Sequence, residues 1–224
     1  MKTLKQAELH TAAFNNLNTD NWYMVFDIET KKYPTRPKFK VPDEWVAGGW
    51  HDYTGMGIAC VGFVLVSLNY GDANKSKKMP CGVTDNIEEI AQIMGIVKAY
   101  GWSLSGFNTK AFDANLLRAH GVDLSGINHY DVFDNVAKAL NISSDNKSAM
   151  RGLGLDAIAK ANDCPAKSGK GVDAPKMYQL GQIEELHAYC LDDCDVEASL
   201  LIEVHKRGGI INPKTKSYLR LVTP

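Results

Sequence analysis

Apolar and polar positions along the chain change period several times, and each change marks an element. Residues 22–28 (WYMVFDI) concentrate aromatic and β-branched side chains and run into acids, which predicts a central strand with charged groups at its tip. Residues 31–50 hold three prolines and the pair Gly48-Gly49, and so read as an irregular insertion. A second strand follows over 57–68, an exposed polar turn over 70–78 and a short third strand over 79–83. Asp85 with Glu88 three residues on predicts the start of a helix in which Ile87, Ile90, Ala91, Met94 and Val97 recur at helical spacing. The pattern then gives a strand over 102–107, a helix over 112–120 stopped by Gly121, and a short strand over 129–133 running into a helix. The last third is mainly helical: 153–161, then 182–206, ended by Gly208-Gly209. Between them, 162–174 is a polar loop carrying Pro165, Lys167 and Lys170.

Strands first, then strand and helix in alternation, then helices: this order predicts an α/β fold with a mixed sheet, whose ligand site lies beyond the strand ends. There is no internal repeat and no low-complexity tract. With 224 residues and 45% hydrophobic content, one domain is expected, its core spanning about 20–207 between an N-terminal extension (1–19) and a C-terminal tail (208–224). A formal net charge of -1 excludes the broad basic field of a duplex-gripping protein, but leaves room for a strand end held in an acidic, metal-filled pocket. The first eleven residues lack the apolar run of a signal peptide, and the longest apolar run, 58–68, is far shorter than a bilayer span. No membrane partner is expected. Five cysteines without a CxxC pair fit a reducing cytoplasm.

Three segments place acids where chemistry has to be considered. In Phe26-Asp27-Ile28-Glu29-Thr30, strand alternation puts Asp27 and Glu29 on one face. Two like charges about 4 Å apart repel by roughly 4 kcal/mol at an effective dielectric near 20, which favours a shared proton or a divalent cation. The alternative is a strand end that leaves the sheet with both acids in water. In Gly106-Phe107-Asn108-Thr109-Lys110-Ala111-Phe112-Asp113, a strand ends and a helix begins with Asp113 in its first turn; there an acid often only complements the helix dipole, and Asn108 often only a turn. On the long helix, Leu186, Tyr189, Cys190, Asp193, Val196, Leu200 and Val204 share one face, so Asp193 sits in an apolar stripe. Asp192 falls with Glu185, Asp195 and Ser199 on a polar face. A carboxylate in an inward stripe is expensive unless paired or bound to metal, and Tyr189 stands one turn before it. Four such oxygen donors select Mg²⁺ or Mn²⁺ over zinc, and two ions about 3.5 to 4 Å apart are the apparatus for in-line phosphodiester hydrolysis.

FDIET, GFNTKAFD and Tyr189-Cys190-Leu191-Asp192-Asp193 together resemble the three motifs of the DEDD 3'-5' exonucleases of the ribonuclease H-like fold, a family that includes polymerase proofreading domains and ribonuclease D. The Tyr-x-x-x-Asp spacing is similar to the tyrosine subtype. GGWHDYTGMGIACV and the stretch from LGLDAIAKA to YCLDD further resemble a group found alone or beside helicase-like segments. The resemblance implies a five-stranded mixed sheet flanked by helices. It also implies that Asp27, Glu29 and Asp193 hold the metal that activates water, with Asp27 and Asp113 serving a second ion. Tyr189 would orient the water, and Thr30, Asn108 and Phe112 would meet the substrate. The implied reaction is release of nucleoside 5'-monophosphates from a 3' end, mainly single-stranded, DNA before RNA.

His187 and Asp192 also match the histidine subtype's spacing, but the helical face favours Tyr189 with Asp193 and leaves His187 on the surface. Phe112 reads equally as a base-stacking or a core residue; Trp45, Trp50 and Met56 as wedges between bases or anchors of the insertion. For Lys167 and Lys170 a solvated loop is the simpler reading, phosphate contact the other. Cys190 and Cys194 read as small core residues. A non-catalytic nucleic-acid-binding module of the same fold, or a proofreading subunit acting in trans with a polymerase or beside a helicase, would show the same motifs.

Overall fold

A computed structural model describes residues 20–143, 146, 148–167, 169 and 173–224; the N-terminal extension and Lys170 lie outside the described residues. Strand β1 is Asp20–Thr30, and residues 31–57 then pass through a 3-10 turn, Asp43–Trp45, and a four-residue helix, α1, Tyr53–Met56. Next come β2, Ile58–Asn69; β3, Lys77–Thr84; helix α2, Ile87–Ala99; β4, Ser103–Gly106; α3, Asp113–Ala119; β5, His129–Asp131; and α4, Val132–Ala139. Helices α5, Leu155–Ala161, α6, Ala174–Gln179, and α7, Ile183–Arg207, precede two short strands, β6, Gly209–Ile211, and β7, Tyr218–Arg220.

The main sheet has the order β3-β2-β1-β4-β5. β1 runs antiparallel to β2 and parallel to β4, so the five-stranded sheet is mixed, as the order of elements implied. Alternation along β1 sends Trp22, Met24, Phe26 and Ile28 to a core closed by Ile90, Ile93, Met94 and Val97 of α2 and Leu116 and Leu117 of α3. Tyr23 and Val25 point the other way, against Cys194, Ala198 and Leu201 of α7. Helix α7 can lie that close because Gly62 faces it: a Cβ there would sit 2.8 Å from Cys194 Sγ and 3.2 Å from the Cys190 carbonyl oxygen. Gly62 is the register partner of Asp27, so the closest approach of helix to sheet falls beside the first acid.

Three sequence expectations change. Asn86, not Asp85, caps α2, its side chain accepting from the Glu88 and Glu89 N–H groups; it stands directly before the first helical residue, while Asp85 is exposed. The tail over 208–224 is an antiparallel β6-β7 hairpin with Ile210 and Leu221 buried against α4, α5 and α7. Asn162 fastens it, donating to the Ile211 carbonyl and accepting from the Ile211 N–H at 2.7 Å. Helix α6 lies at the end of what read as loop. Gly208, left-handed at φ 69°, ends α7 as expected. Among the described residues no helix is long and apolar enough to cross a membrane, and all five cysteines are free.

Candidate active site

Asp27 and Glu29 continue the face of β1 that carries Tyr23 and Val25, so where that apolar face runs out the strand presents two acids to α7. The helix brings Tyr189, Cys190 and Asp193 down on the same strand end, and ligand oxygens of Asp27, Glu29 and Asp193 all lie within 4.8 Å of one another. Asp193 is 2% exposed and Glu29 is buried, while half-buried Asp27 opens onto a cavity. Asp192 is exposed, and Asp195 is paired with Lys78, so the polar face of the helix is where the wheel put it.

Asp113 arrives from the other side. β4 pairs with β1 only as far as Val25 and Ser105, which leaves the backbone of β1 open beyond that point. The buried Asp113 carboxylate takes the place of the missing strand, accepting the Ile28 N–H at 3.2 Å. The turn that delivers it is organised by Asp131, a buried acid at the end of β5 that sequence reasoning missed. Asp131 accepts from the N–H groups of Asn108, Lys110 and Asp134, which holds Asn108 in a left-handed conformation at φ 68°.

Burial first, then the charges of the neighbouring acids, pushes Asp27 and Glu29 well above the ordinary carboxylate range. Burial also raises Asp193, against the opposing pull of Lys167, whose Nζ lies 2.6 Å from Asp193 Oδ2. Lys167 is therefore no member of a solvated loop; the loop folds inward because Asp193 offers a buried partner. A fifth acid, Glu197, sits one turn beyond Asp193 and is 3% exposed; burial and the charges of Asp27, Asp113 and Asp193 hold its carboxyl well above the usual range. Its place in the inward stripe was readable from its spacing to Asp193.

Asp193 Oδ1, Glu197 Oε2 and the Tyr189 hydroxyl are buried without a hydrogen-bond partner among the described residues. Burial, then the charges of Glu29 and Asp193, drives the Tyr189 phenol up, so it stays protonated. Unpartnered buried oxygens beside mutually repelling carboxylates are the condition a hard divalent cation relieves, so the residues present fit Mg²⁺ or Mn²⁺.

The cavity has a volume of about 400 Å³ and is lined by Asp27, Glu29, Thr30, Asn108, Phe112, Asp113, Lys167, Tyr189 and Asp193 together with Tyr33, Trp50 and Phe107. All eight site residues expected from the sequence thus border one space. Thr30 lines it with its hydroxyl donated to the Lys32 carbonyl. Phe112 is half-buried, meeting Tyr53 and Trp50 edge-on at 6.2 and 6.0 Å, so it packs and faces the cavity at once. Of the insertion residues, Met56 is core and Trp45 half-buried, whereas Trp50 is 48% exposed on the cavity rim. His187, expected on the surface, is half-buried with its Nε2 unpartnered among the described residues, away from the cavity lining.

The architecture is a mixed α/β one, a central mixed sheet flanked by helices in the ribonuclease H-like manner. Among solved structures it is similar to the family B DNA polymerase from the hyperthermophilic archaeon Pyrobaculum calidifontis, with a TM-score of 0.51 and 13% sequence identity over 82% of this chain. The match covers 24% of that polymerase, so the chain corresponds to about a quarter of its length. At that identity the likeness speaks for the fold. No family model and no curated protein matches the sequence.

Proposed function

We propose that the chain is a metal-dependent 3'-5' exonuclease that removes nucleoside 5'-monophosphates from single-stranded 3' ends, DNA before RNA, as one domain that includes the β6-β7 hairpin. The observation that carries this reading is the meeting of Asp27, Glu29 and Asp193 within 4.8 Å, with Asp113 beside them, at the edge of a cavity large enough for a terminal nucleotide. Two Mg²⁺ or Mn²⁺ ions, when bound, supply a water-derived nucleophile and stabilise the leaving oxygen.

The chain's own residues do the rest. Asp27, Glu29 and Asp193 hold the ion that serves the nucleophile; Asp27 and Asp113 serve the second. The Tyr189 hydroxyl, protonated and unpartnered, orients the attacking water. Phe112 and the Trp50 ring on the rim give the terminal bases aromatic surface, and Asn108 borders the same space. Correspondence to about a quarter of a DNA polymerase is what a proofreading domain would give, and supports a polymerase or helicase as the partner class in trans.

The test is digestion of matched 3'-labelled DNA and RNA oligonucleotides, single- and double-stranded, with Mg²⁺ or Mn²⁺. Stepwise loss of mononucleotides from single strands, abolished by EDTA, is expected. Intact label with either metal refutes the reading.

A further inference from the structure

One cation stands among the acids. Lys167 comes from the polar stretch before α6, yet its side chain is only 20% exposed, against 3% for that of its partner Asp193. Its Nζ also lies 5.7 Å from the centre of the Tyr189 ring, and its stem lines both the acidic cavity and the adjoining groove bordered by Leu155, Lys160 and Gly169. Gly169 keeps this stretch tight against the site: a Cβ there would sit 3.1 Å from the Tyr189 ring. The charges of Asp27 and Glu197 also act on the ammonium.

An ammonium is a compact charge with three donors, and a buried one stays only where anions hold it. Lys167 has such anions as long as Asp193 and its neighbours are uncompensated. Once divalent ions satisfy those carboxylates, Lys167 is left beside positive charge, at the wall of a cavity whose one incoming anion is the phosphate of the substrate. Its flexible four-carbon stem lets the charge shift without moving the loop.

We infer that Lys167 is a catalytic residue of the proposed exonuclease reaction: it neutralises Asp193 before metal is bound, then yields that carboxylate and places its ammonium on a non-bridging oxygen of the scissile phosphate. No bond to Lys167 forms. It offsets the charge that gathers on phosphate as water attacks and the leaving oxygen departs. The inference rests on the exonuclease reading and adds a member to its machinery.

The experiment compares the full chain with Lys167→Met and Lys167→Arg. Mn²⁺ binding to the metal-free proteins is followed by electron paramagnetic resonance, and turnover of a 3'-labelled single-stranded oligonucleotide is measured at saturating Mn²⁺ and substrate. The Met variant should bind Mn²⁺ as tightly as the parent or more tightly, because the competitor for Asp193 is gone, and should lose about ten-fold or more in kcat. The Arg variant should keep a larger share of kcat. Turnover within two-fold of the parent overturns the inference, as does a loss of rate matched by an equal loss of Mn²⁺ affinity, which would make Lys167 a prop of the metal site. Melting curves check folding; if the Met variant fails to fold, Lys167→Gln is judged by the same two measurements. A parent that does not cleave sinks the exonuclease reading itself, a result distinct from an active parent with an indifferent Lys167.

Discussion

Replacing Glu29 by Gln keeps the shape of the side chain and removes one of the negative charges that lie within 4.8 Å of each other. At that distance a pair of unit charges repels by roughly 3.5 kcal/mol at an effective dielectric near 20. Glu29 has two such neighbours, and its pKa is raised well above the usual range by burial first, then by Asp27. A raised folded pKa means that the native state keeps a proton which the unfolded chain releases near pH 4.3, so the metal-free fold loses stability as pH climbs above that value. Proton uptake and the Lys167 charge temper the full repulsion, which leaves an expected gain for Glu29→Gln of about 2 to 3 kcal/mol at pH 8, falling below about 1 kcal/mol at pH 5. For a chain of this size that corresponds to a melting temperature roughly 5 to 10 °C higher at pH 8 in EDTA. Mn²⁺ reverses the order. A hundred-fold excess over Kd stabilises the parent by about 2.7 kcal/mol, while the variant, short of a ligand, gains less. Thermal melts at both pH values, with EDTA or Mn²⁺, decide the matter: a variant that melts no higher than the parent at pH 8 in EDTA, or that gains as much from Mn²⁺, refutes the electrostatic account.

Asp193→Asn should lower cleavage roughly 100-fold or more, whereas Asp192→Asn, on the exposed face, should stay within about two-fold; equal losses in 3'-end release would overturn the placement of the helix. Tyr189→Phe should cost roughly 10- to 100-fold in kcat with Mn²⁺ binding retained, and His187→Ala little, since it does not line the cavity. Gly62→Ala should destabilise by about 1 to 3 kcal/mol, because its Cβ would press on Cys194 Sγ at 2.8 Å and force α7 outward; an unchanged melting temperature would show that the helix has slack there.

The sheet was legible because β1 and β2 carry long apolar runs with clear period, and the helices over 87–99 and 183–207 because three- and four-residue spacing is sustained over many turns. The three-residue strands β6 and β7 are too short to impress a pattern, so the hairpin read as a tail. Asp27 and Glu29 were legible from alternation and Asp193 from its stripe. Asp113 was visible only as an acid in a first helical turn, since what fixes it is an N–H of a strand far away in sequence. Lys167 was hidden for a like reason: a lysine in a polar loop reads as solvated until the fold supplies the buried carboxylate it answers. Glu197 and Asp131 needed only closer use of the same rules, one by its turn on α7 and the other by its place at a strand-to-helix junction.

Two of the clustered acids lie on the first described strand and the third on the last long helix, so neither end of the chain can bind a divalent ion well before the other has docked. A partly made polypeptide emerging from the ribosome would therefore carry Asp27 and Glu29 without their third companion. In the exonuclease reading, it would pass among nascent and messenger strands without cutting them, and the power to hydrolyse would arrive with the closing step of folding.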